Sequence, residues 1–182
     1  MKERTGEAFE LGEQLTVLGE RLVVGDMAPA FTLDWLDPAA GEISQVRLGD
    51  SAGSERLLNV INSIDTPVCR IETQSWEQRL PERIGATDVR IFTVTMDLPF
   101  ALGRWESAGH GGRVGHQLLS GHRSEDFGRD YGVLIKEWRL LQRAVFVIDE
   151  QDRIAYAEYV ADQMHEPNYA AAIGAIETVA AA

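Results

Sequence analysis

The stretch Arg56-Leu57-Leu58-Asn59-Val60-Ile61, followed closely by Asp65-Thr66-Pro67, constrains this chain more than any other feature of it. A near-continuous apolar run suits a strand of a parallel sheet covered on both faces, because neither side of it is built to meet water. Asp65 is a helix-capping residue type, and Pro67 suits a first helical turn, where its missing N–H is no loss. The sequence therefore predicts a buried strand, a turn and a helix running to about Leu80, with Pro81 ending it.

The same reading extends along the chain. Phe9-Glu10-Leu11 and Leu15-Thr16-Val17 alternate apolar with polar around Gly12-Glu13-Gln14, which predicts a hairpin, so residues 1–24 form an N-terminal hairpin extension. Short strands are expected at Phe31–Leu33 and Ile43–Leu48, and a second buried strand at Val89–Thr95. A short helix follows Asp97-Leu98-Pro99-Phe100 through Trp105 and Glu106. Ser107–Gly115 is loop, being rich in glycine. Val114–Leu119 reads as a strand, Asp126–Tyr131 as a short helix stopped by Gly132, Arg143–Ile148 and Arg153–Val160 as strands, and Glu166-Pro167 as the start of a last helix through Val179. Strands alternating with helices predict an α/β fold with a mixed sheet, in a single domain spanning 1–182.

Charge narrows the partners. Seventeen Lys and Arg face 29 Asp and Glu, a net charge of −12 that is spread along the chain. Such a field repels phosphate backbones and anionic lipid, so neither nucleic acid nor a membrane is an expected partner. No apolar run approaches the roughly 20 residues of a bilayer span, and the N-terminus lacks the pattern of a signal peptide, so a cytoplasmic location is expected.

Cys69 is the chain's one cysteine. An internal disulfide or a multi-cysteine zinc site is therefore impossible. The residue falls in the first turn of the predicted helix, beyond the carboxyl end of a buried strand, where α/β sheets bind ligands. Unpaired N–H groups there favour an anion, and a thiol so placed can become a reactive thiolate. Thr66 offers a hydroxyl beside it. Taken alone, a single cysteine is equally at home as a small buried apolar residue, and Arg143 at a strand start as a solvated edge residue.

The segment Ser63-Ile64-Asp65-Thr66-Pro67-Val68-Cys69 resembles the active-site motif of the bacterial thiol peroxidases, the atypical two-cysteine branch of the peroxiredoxins. The similarity continues through Asp97-Leu98-Pro99-Phe100-Ala101, Asp126–Val133 and Arg143–Glu150 to Glu166-Pro167-Asn168-Tyr169-Ala170-Ala171, and so covers about Gly25 to the C-terminus, with a similar N-terminal hairpin. It implies a thioredoxin-like fold, a central mixed sheet flanked by helices, usually a homodimer, that reduces hydrogen peroxide and organic hydroperoxides without cofactor or metal. Carried over by position, Cys69 is the peroxidatic cysteine, and Thr66 and Arg143 are the groups that position thiolate and peroxide.

Two departures from the family pattern matter. Asn62 stands where the family carries a proline that shields the cysteine, so a wetter or reshaped loop is expected. Glu106 stands where the resolving cysteine belongs, so oxidised Cys69 needs an external thiol, thioredoxin-like or of low molecular weight, or Cys69 of a second copy of the chain, or else climbs the oxidation ladder. Two functions remain open at this point: a one-cysteine peroxidase, or a degenerate relative acting as a redox sensor or binding module. His110, His116 and His122 lack metal-ligand spacing and read as water-exposed loop residues. Trp76 and Leu80 read as core, whereas Phe100 and Trp105 fit either core or an interface.

Overall fold

The computed structural model describes residues 2–84, 89–108 and 116–181. Its centre is the predicted strand–turn–helix: β5 (Arg56–Val60) is buried at every residue, and α1 (Pro67–Ile84) follows it. β6 (Arg90–Thr95) and β7 (His116–Ser120) continue the sheet in parallel with β5, which accounts for the buried character of all three. β9 (Ala144–Ile148) lies antiparallel on the other edge of β5, and β10 (Ile154–Tyr159) antiparallel on β9. β3 (Thr32–Asp37) joins β7, and β4 (Glu42–Arg47) closes that side, giving the order β10-β9-β5-β6-β7-β3-β4. This is the expected mixed α/β sheet with flanking helices.

The two-residue period of the strands sorts the core into two layers. Leu57, Ile91, Val145 and Val147 point to the face covered by α1 and α4 (Tyr169–Val179), where they meet Trp76, Leu80, Ala172, Ile173 and Ile176. The Trp76 and Tyr169 rings meet edge to face with centroids 4.7 Å apart, fastening α1 to α4. Leu58, Val60, Phe92, Val94 and Phe146 point to the opposite face and pack with Phe31, Phe127 and Tyr131. Phe127 belongs to α3 (Asp126–Asp130), which ends as expected at Gly132: Gly132 N–H bonds the Arg129 carbonyl and Val133 N–H the Gly128 carbonyl. With φ at +62° and the Glu20 carbonyl oxygen 2.0 Å from where a Cβ would stand, position 132 admits only glycine.

Several boundaries differ from the sequence reading. The hairpin of β1 (Glu3–Glu10) and β2 (Glu13–Leu18) pairs Glu10 with Glu13, so its turn is Leu11-Gly12 rather than Gly12-Glu13-Gln14. Both turn residues have positive φ, 50° and 86°, the geometry that matches strand twist in a two-residue turn. A strand that propensity did not announce, β8 (Leu134–Ile135), pairs with β2 through Val17 and Leu18 and joins the hairpin to the body. Pro81 does not end α1; a proline removes one helical hydrogen bond, but the burial of Trp76 and Leu80 already holds the helix. α2 (Pro99–Ser107) reaches into the predicted loop, and residues 109–115, with His110 and the first residues of the predicted strand from Val114, lie outside the described part of the chain.

Candidate active site

Antiparallel pairing of β9 with β5 sets Ala144 opposite Val60, so the residue before Ala144 arrives at the carboxyl end of β5. That residue is Arg143, and α1 starts from the same end of the sheet. Cys69, the third residue of α1, is fully buried in a small apolar cluster with Ile61, Ile64, Leu102, Trp105 and Leu118. Arg143 Nη2 donates to Cys69 Sγ across 3.4 Å. The cation that meets the sulfur therefore comes from a distant strand. The sequence neighbour Arg70 is exposed.

Arg143 is only 1 % exposed and its position is built from several sides. Nη2 also donates to the Gln163 carbonyl at 2.9 Å, the Arg143 backbone N–H donates to Gln163 Oε1 at 2.8 Å, and Nη1 donates to Glu72 Oε2. Burial works against the charge of Arg143, but the Glu72 carboxylate and the Cys69 sulfur outweigh it and raise the guanidinium pKa. Glu72 is itself fully buried, and burial pushes its carboxyl from 4.5 up to about 8 against the pull of Arg143. Glu72 Oε1 has no hydrogen-bond partner among the described residues, so its desolvation is only half compensated.

The turn before α1 is held by Asp97, at the carboxyl end of β6. Asp97 Oδ1 accepts from the Ser63 hydroxyl at 2.9 Å, and Oδ2 accepts from the Ile64 backbone N–H at 2.7 Å. Thr66 is partly exposed, and its hydroxyl donates to the Ser63 carbonyl at 3.0 Å, an ST-type turn that shapes the approach to Cys69. Asn62 does not open the loop to water. It is buried, and its Nδ2 donates to the Leu141 carbonyl at 2.6 Å and to Gln163 Oε1 at 3.0 Å, joining the framework behind Arg143. Glu106 is half-buried on α2 and accepts from the Leu118 backbone N–H at 3.3 Å; burial raises its carboxyl pKa.

His116 is not a solvated loop residue: it is 3 % exposed, within β7, with both ring nitrogens engaged. His122 rests on the Ser120 hydroxyl at 2.9 Å. No cluster able to hold a metal ion occurs among the described residues. Trp105 is buried whereas Phe100 is 63 % exposed. Glu72, Gln163 and Asp97 escaped the sequence reading as site residues, and Asn62 entered it only as a departure from the family proline, not as part of the framework behind Arg143. Only Glu72 had a local signal, lying one helical turn beyond Cys69 on the same face. A surface cleft of about 630 Å³ lies elsewhere, bordered by Phe31, Asp34, Arg47, Arg123 and Phe127, and Cys69 is not part of it.

The family model described as Redoxin matches residues 23–173, which include Cys69, Thr66 and Arg143. The thiol peroxidase of Oceanobacillus iheyensis is 43% identical over 161 residues, covering 88% of this chain and 92% of its own length. The thiol peroxidase of Streptococcus sanguinis is 42% identical over 169 residues, covering 93% and 98%. Among solved structures, a peroxiredoxin-like protein from Aquifex aeolicus superposes with a TM-score of 0.81 at 29% identity, covering 96% of this chain and 98% of that one. Thiol peroxidase from Chromobacterium violaceum superposes at 0.76 with 23% identity, covering 96% and 94%, a likeness of fold. With a family model over most of its length and relatives above 40% identity along nearly all of it, this chain belongs to the redoxin family, in its thiol peroxidase branch.

Proposed function

We propose that the protein is a thiol peroxidase of the one-cysteine kind, in which Cys69 is the nucleophile and Thr66 and Arg143 position the reacting atoms. The observation that carries this reading is the Arg143 Nη2 to Cys69 Sγ contact of 3.4 Å at the start of α1. The Cys69 thiolate attacks one oxygen of a hydroperoxide; the O–O bond breaks, a proton is taken up, and the products are a cysteine sulfenic acid and water or an alcohol. Arg143, a permanent cation, stabilises the thiolate and the charge gathering on the departing oxygen. The Thr66 hydroxyl, whose hydrogen is given to the Ser63 carbonyl, offers its oxygen as an acceptor for the peroxide O–H, and the N–H groups of the first helical turn are donors for the peroxide oxygens.

The sulfenic acid then reacts with an external thiol, releasing water and forming a mixed disulfide, and a second thiol frees Cys69 as the reductant leaves oxidised. This route follows from Glu106 standing where a second cysteine would be needed. A redox sensor with little turnover is the less favoured reading, because relatives named thiol peroxidases match along nearly the whole chain. The proposal includes a homodimer, supported by the exposed Leu98 and Phe100 beside Asp97, and a cytoplasmic setting for a chain whose described helices include none able to cross a membrane. Stopped-flow oxidation by hydrogen peroxide tests the activity. A second-order rate far above that of free cysteine, abolished in Cys69→Ser with the fold retained, is the expected result; a rate equal to free cysteine overturns it.

A further inference from the structure

Both ends of Arg143 are set by one residue, Gln163, which is 2 % exposed. Gln163 Oε1 accepts from the Arg143 backbone N–H at 2.8 Å. The Gln163 carbonyl accepts at 2.9 Å from Arg143 Nη2, the same nitrogen that meets the Cys69 sulfur. Oε1 takes a second bond, from Asn62 Nδ2 at 3.0 Å, while Nε2 donates to the Val160 carbonyl at 2.8 Å. Only one orientation of the amide fits, since two donors face its oxygen and a carbonyl faces its nitrogen. Asn62, in place of the family proline, thus fills the second lone pair of Gln163 Oε1 and keeps that oxygen turned toward Arg143.

The sheet does not hold Gln163 itself. β10 ends at Tyr159, and residues 161–163 continue beyond it. They are caught by the N-terminal hairpin: Phe9 N–H donates to the Ala161 carbonyl at 2.7 Å, and Gln163 N–H donates to the Phe9 carbonyl at 2.8 Å. Gln142, the neighbour of Arg143, adds a second tie, its Nε2 donating to the Glu7 carbonyl at 3.0 Å and the Val160 carbonyl at 3.2 Å. A path of hydrogen bonds therefore runs from β1 through Gln163 to the guanidinium at the sulfur. We propose that Gln163 is a positioning residue for Arg143, and that the N-terminal hairpin takes part in peroxide reduction by holding Gln163, through Phe9, where both ends of Arg143 need it. The proposal deepens the thiol peroxidase reading and rests on it.

A guanidinium displaced from the sulfur still carries its charge, so the loss on disturbing Gln163 is one of geometry. Gln163→Met keeps length and bulk but neither side-chain acceptor nor donor. It should lower the second-order rate of Cys69 oxidation by hydrogen peroxide about 10-fold, short of the roughly 100-fold lost when a preorganised donor is removed. Phe9→Pro deletes the N–H given to Ala161, which the β1–β2 ladder does not use. Its rate should fall about threefold further than that of Phe9→Ala, which keeps both main-chain groups, the scale of one buried hydrogen bond. The decisive readout is coupling. In an Arg143→Lys background, where the fork is already lost, Gln163→Met and Phe9→Pro should each cost less than about twofold. Titration of the thiolate absorbance should place the Cys69 midpoint about half a pH unit or more higher in Gln163→Met than in the parent, as the cation withdraws from the sulfur. Full multiplicative losses in the Arg143→Lys background, an unchanged thiolate midpoint, or an unchanged rate with falling urea stability mark a role in stability alone and overturn the proposal. If Gln163→Met does not fold, Phe9→Pro against Phe9→Ala in the two backgrounds decides. Should the parent thiol react with peroxide no faster than free cysteine, the peroxidase reading fails, and the thiolate titration still decides whether Gln163 seats Arg143 on the sulfur.

Discussion

Arg143 donates to the sulfur of Cys69 although 74 residues separate them, and the same guanidinium is shared with Glu72 and the Gln163 carbonyl. The planar fork reaches Glu72 through Nη1 and the other two acceptors through Nη2; a single lysine nitrogen cannot occupy both positions at once. Arg143→Lys is therefore expected to lower the second-order rate of Cys69 oxidation by about 100-fold, in the range seen when one preorganised donor is lost, while the charge is retained. Stopped-flow fluorescence under excess peroxide reads this directly, and a loss below threefold refutes the role given to the guanidinium geometry.

Glu72 links the site to the pH dependence of stability. Burial raises its carboxyl in the folded protein from 4.5 to about 8, so between those values the folded state holds a proton that the unfolded state has released. Unfolding free energy must then fall as pH rises across that window, since the unfolded chain binds fewer protons there. Glu72→Gln keeps the shape and a polar contact to Arg143 but removes the titration. Urea denaturation at pH 5 and pH 8 should show a smaller difference between the two pH values in Glu72→Gln than in the parent. Equal differences refute the assignment.

Asn62 tests whether the framework behind Arg143 depends on its amide. Asn62→Ala leaves the Leu141 carbonyl short of its donor in a buried setting and removes a bond to Gln163 Oε1. The expected loss is about 1–3 kcal/mol of unfolding free energy, the usual cost of an orphaned buried group. Chemical denaturation measures it, and a change under about 0.5 kcal/mol, the scale of an ordinary surface substitution, contradicts the account.

Glu106 tests the proposed course of oxidation. The parent protein treated with peroxide alone should show oxygen adducts on Cys69 by mass spectrometry, with no internal cross-link, because the chain has no second cysteine. Cys69 shares its packing cluster with Trp105, the neighbour of Glu106 on α2. Glu106→Cys should therefore permit a disulfide between Cys69 and the introduced thiol once the intervening turns unwind, seen by peptide mapping without reductant. Oxidation of Cys69 with no such bridge refutes the placement of α2 relative to the sulfur during turnover.

How far the sequence reaches is clearest at three places. The strand, turn and helix from Arg56 onward are written in local terms: an apolar run and a first-turn proline act over a few residues and specify the same element in almost any context. Cys69 at a helix start is legible for that reason, whereas Thr66 and Arg143 enter the reading only through the family resemblance. Arg143 illustrates the limit, since its side chain type fits a solvated edge, and only the β5–β9 register carries it to Cys69. Gln163 and Asn62 enter the same framework through contacts spanning 20 to 101 residues, which no periodicity encodes.

His116 shows the same division in reverse. The sequence places it in a strand but reads its side chain, beside a glycine-rich stretch, as exposed to water; β6 pairing buries it, and Glu77 of α1 and Thr93 of β6 engage both ring nitrogens. Amino-acid type and spacing determined which elements form and which thiol could react. The tertiary structure alone decided which polar groups lose water together, because a hydrogen-bond partner is chosen by proximity after the strands have found their register, and burial makes that choice costly to change.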